Sequence, residues 1–200
     1  MQQSSRVLAL FDFDGTLTIQ DSLPAFIQFV VGKPRYWMGL IYCSPTLLGY
    51  LLGWIDNNSA KEKLLAYFFK DMKLADLQAQ GVQFSHKIIP KMTRPGGFER
   101  LNWHLKQGHQ VVIVSASADI WLKPWVDTLG ADLISTQLEN FNGILTGKYH
   151  GKNCHGEEKV TRIGVQYPLD QFDEIYAYGD SSGDKPMLAL AHHAFYKPFR

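Results

Sequence analysis

Cysteine is nearly absent from this chain, and neither sign of charge dominates it. Cys43 and Cys154 are the only cysteines in 200 residues. Neither belongs to a Cys-x-x-Cys pair or to a His/Cys spacing of metal-ligand type. No disulfide framework and no structural zinc site is therefore expected, and the usage suits a reducing cytoplasm. Lysine and arginine number 20 against 19 aspartates and glutamates, a formal net charge of +1. There is no broad field to attract nucleic acid or an anionic membrane, and no long run of like charge, so no nucleic-acid role is expected. Residues 1–6 are polar, and the apolar run after them is short and broken by Asp12, so no secretory signal is expected. Internal repeats and low-complexity tracts are also missing.

What the chain does have is apolar residues, 46% of the total, enough at this length for one core or a core with an inserted subdomain. Residues 7–13 read as a buried strand that stops abruptly in Asp12-Phe13-Asp14-Gly15-Thr16. In a strand, residues two apart share a face, which places Asp12 and Asp14 side by side at its end. Two anions about 4 Å apart at an effective dielectric near 20 repel by roughly 4 kcal/mol, so the pair implies a cation or a shared proton.

From Ser22, a helix N-cap with Pro24 in the first turn, to about Lys91 the pattern is helical. Ser59-Ala60-Lys61-Glu62 has the form of a capping box opening a helix. After Pro95-Gly96-Gly97 helices and strands alternate. Helices are expected over 98–106, 118–129, 157–165 and 185–191, and strands over 110–115, 132–136, 174–178 and 194–196, with a hairpin at Asn142-Gly143. The expected fold is α/β: a Rossmann-like parallel sheet with helices on both faces, built from 1–18 and 95–200, plus an inserted all-helical subdomain over 19–94.

The uncharged stretch from Tyr36 to Ile55 is as long as a membrane span. A span there would separate the first strand from the later strands of one sheet. Because Ser44-Pro45-Thr46 interrupts the stretch, it is expected to form a helical hairpin inside the insert, with contact to lipid or to an apolar substrate as a second reading.

Three expected strands end in polar groups: Asp12 to Thr16, Ser115, and Gly179-Asp180. In a parallel sheet these carboxyl ends share one edge, where ligands bind. Ser115 stands before an expected helix, so its hydroxyl and the amides after it, beginning at Ala116, form a phosphate seat. Asp180 and Asp184 add carboxylates, and Lys159 supplies one balancing charge. Four acids against one lysine, with no histidine or thiol among them, favour Mg2+.

These segments, in this order, resemble the four motifs of the haloacid dehalogenase-like (HAD) phosphatases: Asp12-Phe13-Asp14-Gly15-Thr16, Ser115, Lys159, and Gly179-Asp180-Ser181-Ser182-Gly183-Asp184. The helical insert after the first motif is similar to the cap of the phosphoserine phosphatase-like branch, subfamily IB. The resemblance implies a Mg2+-dependent phosphomonoester hydrolase. In it Asp12 is the nucleophile that becomes an aspartyl-phosphate, and Asp14 is the acid and base, with a backbone carbonyl on the metal. Ser115, Ala116 and Lys159 hold the phosphoryl group, and Asp12, Asp14, Asp180 and Asp184 serve the metal.

The motifs also depart from the phosphoserine pattern. Ala116-Ser117 replace glycines and Gly183 replaces asparagine, while Asp21 stands where an acid reads the substrate and neither Arg35 nor Arg94 matches the cap arginine. The apolar 36–55 stretch is instead similar to the cap of phosphatidylglycerophosphatases of this branch. The expected partner is thus a small phosphomonoester or a lipid phosphate, in the cytoplasm or at the inner membrane face. The rival reading is a phosphate-sensing module without turnover.

Elsewhere the plainer readings prevail. Cys154 reads as a small buried residue, and His155 and His192-His193 as structural or exposed. Gly143 to Lys148 falls one residue short of a phosphate loop and reads as a hairpin.

Overall fold

The computed structural model describes residues 6–200. Residues 1–5, which include most of the polar start and the first part of the expected core, lie outside them. Strand β1 (Val7–Phe11) is buried along its whole length at the centre of a parallel sheet. Its neighbours are β2 (Gln110–Ala118), β3 (Asp132–Thr136), β6 (Glu174–Gly179) and β7 (His193–Tyr196), in the order β3-β2-β1-β6-β7. Leu10 pairs with Val112 on one side and Ala177 on the other. Alternation then divides the sheet's residues. Leu8, Leu10, Val112 and Val114 enter the core beneath α7 (Glu157–Gln166) and α8 (Lys185–Leu188). Ala9, Phe11, Val111 and Ile113 enter the core beneath α5 (Pro95–Lys106) and α6 (Asp119–Leu129).

That second core does not stop at the core helices. It runs on through Phe26, Phe68 and Phe84 into the helices inserted between β1 and α5. These are α1 (Ser22–Leu51), α2 (Asn57–Phe69), α3 (Leu74–Lys87) and the single turn α4 (Ile89–Met92). The chain leaves and re-enters through a pair of crossing segments bridged at Thr18 and Thr93, with Ile19 N–H donating to Met92 O at 2.9 Å and Arg94 N–H to Leu17 O at 2.7 Å.

The hairpin expected inside 36–55 is not there: α1 continues to Leu51. Pro45 lacks the N–H that would bond Ile41 O, and the neighbouring Ser44 Oγ donates to that carbonyl at 2.7 Å. The break comes earlier, at Gly32 (φ +77°, ψ 161°), a left-handed conformation that suits glycine. The reversal comes later, between Leu52 and Asp56, so the hairpin's arms are α1 and α2. Gly39 marks their contact, since a Cβ there would lie 2.1 Å from the Phe68 ring. No helix among the described residues is long and apolar enough to cross a membrane.

The capping box assigned to Ser59 is also corrected. Asp56 is the N-cap of α2, accepting from the Asn58 and Ser59 amides at 2.8 and 3.0 Å. The hairpin at Asn142-Gly143 forms between β4 (Leu138–Phe141) and β5 (Ile144–Tyr149), with both turn residues at positive φ. It reaches up to the inserted helices, where Asp71 N–H donates to Leu145 O and Leu145 N–H to Met72 O, each at 2.9 Å.

Candidate active site

The carboxyl ends of β1, β2 and β6 open into a cleft of about 500 Å³ beneath α1 and α2. Asp12, Asp14, Ser115, Ala116, Lys159, Asp180 and Asp184, the residues singled out from the sequence, all line it. A larger groove of about 660 Å³ beside Asp132 and Arg162 contains none of them. The residues, not the volume, direct attention to the cleft.

Lys159 is its pivot. Carried by the first turn of α7, its ammonium donates to Asp12 Oδ1 at 2.7 Å, Asp184 Oδ1 at 2.6 Å and Val114 O at 2.9 Å. Only 1% of the residue is exposed. Burial opposes the charge, but the two carboxylates outweigh it and hold the lysine protonated far above neutral pH. Asp184 is held below the usual carboxylate range: burial works against it, and Lys159 and the Ser181 donors prevail. Its second oxygen accepts from Ser181 Oγ at 2.6 Å and from the Ser181 and Asp180 amides at 2.9 and 3.2 Å. Ser181 and Asp184 thereby form a capping box that fixes the turn after β6.

Asp12 is pushed up to about 7, first by burial, with Lys159 pulling down and Asp184 pushing up. Asp14 is the least of these influences. The side-by-side pair expected from strand geometry is therefore corrected. β1 ends at Phe11, and Asp14 lies in a wide turn over Phe13–Leu17. Asp12 turns toward Lys159 and accepts from Thr16 Oγ1 at 2.8 Å. Asp14 turns the other way, accepting from the Ser22 amide at 2.6 Å and from Ser117 Oγ at 2.5 Å. Burial raises its pKa despite these donors.

Ser115 is corrected too. β2 runs past it to Ala118, with a register shift between the two, and α6 begins only at Asp119. The hydroxyl is thus not at a helix N-terminus. It accepts from the Ser117 amide at 3.0 Å, inside an irregular strand end that faces the cleft.

Three residues that sequence reasoning missed also line the cleft. Lys61, on α2, is half-buried and makes no hydrogen bond or ion pair among the described residues. Burial depresses its pKa, while Asp14, Asp21 and Asp12, in that order, oppose the shift. It is the cation that the inserted helices contribute. Arg35 is not in the cleft, and Arg94 lines it with its Nε donating to Thr18 O at 3.0 Å. His155 stands at the rim and accounts for Gly183: a Cβ there would come within 2.2 Å of His155 Nε2. The Arg200 guanidinium donates to Asp180. Lys61 and Arg200 arrive from distant elements and carry no local sequence signal, whereas His155 stands in the loop that leads into α7, four residues before Lys159.

Asp12, Asp180 and Asp184 each offer an oxygen within 4.8 Å of the others, so the donor set is all hard oxygen and suits Mg2+. The contact from Arg200 agrees, since Asp180 attracts a cation.

The comparisons with known proteins bear on this constellation. A family model described as haloacid dehalogenase-like hydrolase matches residues 9–189. The chain belongs to the haloacid dehalogenase-like hydrolases. Among curated relatives of this HAD chain, Protein CicA of Caulobacter vibrioides is 36% identical over 97% of the chain and 87% of its own length. The phosphoserine phosphatase SerB1 of Mycobacterium tuberculosis is 28% identical over 91% of the chain, which spans 61% of SerB1. A crystal structure from Bordetella pertussis Tohama I, 27% identical, superimposes with a TM-score of 0.81 over 94% of this chain and 87% of its own. This HAD hydrolase is thus phosphoserine phosphatase-like in sequence and fold.

Proposed function

We propose that the protein is a Mg2+-dependent phosphomonoester hydrolase working through an aspartyl-phosphate at Asp12. The observation that carries the reading is the separation of the two acids of the first motif. Asp12 is bound to Lys159, and Asp14 is held apart by Ser22 and Ser117 with its proton affinity raised.

Such an arrangement divides the labour. A carboxylate oxygen of Asp12 attacks phosphorus in line, so an O–P bond forms as the bond to the leaving oxygen breaks. Asp14, favoured in its protonated form by burial, gives its proton to that oxygen. A water then attacks the phosphoenzyme, Asp14 takes back a proton, and phosphate departs with Asp12 regenerated. Lys159 and the Ser115-Ala116 strand end hold the phosphoryl oxygens.

Mg2+ would be held by Asp12 and Asp180, with the backbone carbonyl of Asp14 as the ligand that the family resemblance implies. Asp184, which shares one oxygen with Lys159 and the other with Ser181, would complete the acidic set. When bound, the ion supplies positive charge that screens the incoming phosphate from these acids. Lys61 and Asp21 face the rest of the substrate from the insert, which acts as a cap over residues 19–94. Substrates within this reading are small phosphorylated metabolites and phospholipid monoesters in the cytoplasm.

The reading is tested by phosphate release from p-nitrophenyl phosphate. Wild type turns over with Mg2+ and stops in EDTA, and Asp12→Asn loses about 10⁴-fold in kcat. An Asp12→Asn enzyme that retains its rate overturns the assignment.

A further inference from the structure

The outer face of α1 beyond Gly32 is the wrong way round for a surface helix. Its inner positions, Tyr36, Gly39 and Cys43, are buried against α2 as expected. Its outward positions are also apolar: Trp37, Ile41, Leu48 and Leu51 follow one another at helical spacing along one line, with Met38 and Tyr42 beside them. Ile41 is 74% exposed and Leu51 77%, and the turn that follows presents Trp54 at 80%. Scattered exposed apolar residues are ordinary, but a stripe about four turns long that ends in tryptophan is an interaction surface.

The geometry points to the surface of an anionic lipid bilayer as its occupant. Residues 22–55 contain no acidic side chain, and the charges at the near end of the stripe are both positive, Lys33 and Arg35, each exposed. A third cation, Lys63, lies over the Tyr42 ring, with Nζ 5.6 Å from its centroid. Apolar and aromatic residues with cations at one end match the boundary between acyl chains and anionic headgroups, and the acid that follows the stripe, Asp56, is turned into the cap of α2, where it accepts from the Asn58 and Ser59 amides.

The surface is also continuous with the active-site cleft. Leu47 and Tyr50 of the same helix line the cleft, while Leu48 and Leu51 lie on the stripe. Docking therefore lays the cleft's mouth along the bilayer, within reach of a phosphomonoester in the headgroup layer. This last consequence rests on the hydrolase reading; the docking itself does not.

The test is flotation of the intact protein with vesicles of phosphatidylcholine alone and of phosphatidylcholine with phosphatidylglycerol, alongside turnover of p-nitrophenyl phosphate. Wild type floats with the phosphatidylglycerol vesicles. A variant carrying Trp37→Ser, Ile41→Glu and Leu51→Glu loses binding at least about tenfold while its soluble turnover is unchanged. Lys33→Gln and Arg35→Gln each weaken binding to anionic vesicles about fivefold. The proposal is overturned if wild type stays at the bottom with both vesicles, or if the triple variant floats as wild type does. It is equally overturned if wild type is a dimer that the triple variant dissolves, which assigns the face to a second copy. Failure of turnover with intact flotation breaks the hydrolase reading alone.

Discussion

Two regions of this molecule place their residues against the usual order. In the cleft Lys159, Asp12 and Asp184, which elsewhere would sit in water, are almost wholly buried. On the outer face of α1, Trp37, Ile41 and Leu51, which elsewhere would form a core, are exposed. The difference lies in how each departure is compensated. The buried charges answer one another through short hydrogen bonds, which offset much of the cost of desolvation within the fold, although burial still holds Asp12 well above the usual carboxylate range. On the exposed stripe Trp37, Ile41 and Leu51 each keep more than half of their surface open to solvent. The first region is compensated largely from within, and the second only from outside.

Substitutions that remove the compensation show how much each region depends on it. The largest stability effect is expected from Lys159→Met, which leaves Asp12 and Asp184 buried without their cation. Urea unfolding of the metal-free protein should show a loss of about 3–5 kcal/mol. An effect below about 1 kcal/mol would mean that the cluster is looser than its distances imply.

A change of pH acts on the same cluster more gently. The Asp12 carboxyl is raised from an ordinary 3.8 to about 7, so the folded state keeps a proton that the unfolded chain has lost. Its contribution to stability is complete below the unfolded value and fades as pH rises through the folded one. Asp14, raised by burial, acts in the same direction, whereas Asp184 is lowered and acts only at more acid pH. The share that Asp12 contributes should therefore fall as pH rises from about 4 to about 7, against an opposing rise from His104, whose pKa burial lowers to about 4. In thermal melts recorded in EDTA, Asp12→Asn should gain stability relative to wild type as pH rises through that window, and a difference that does not change with pH would remove Asp12 as its source.

The smallest effect is expected at the border between the regions. Lys61 belongs to the cap and has no fixed partner, so Lys61→Ala should leave the fold intact. Steady-state kinetics should show KM raised about tenfold and kcat within about threefold. A fall in kcat alone would place Lys61 in the chemistry and not in substrate binding.

How much of this could be read from the chain differs between the two regions for a physical reason. The strand ends carrying Asp12, Ser115 and Asp180 were legible because continuous apolar runs stop at polar groups, and a parallel sheet must bring such ends to one edge. The Asn142-Gly143 turn was legible because few residues tolerate its backbone. The divergence of Asp14 from Asp12 was not, since it depends on Ser117 and Ser22 meeting from other elements. The path of α1 was misread because proline normally breaks a helix, and Ser44 supplies the donor that Pro45 removes. Lys61 and Arg200 reach the cleft through tertiary packing alone, which no local pattern records.

The central claim is that the buried cluster exists to make Asp12 a nucleophile. The most direct measurement is to trap the phosphoenzyme by acid quench during turnover of a phosphorus-labelled aryl phosphate and to map the labelled peptide. The account predicts label on the peptide carrying Asp12, dependent on Mg2+ and absent from Asp12→Asn. Label on another residue, or steady turnover by Asp12→Asn without label, would contradict it.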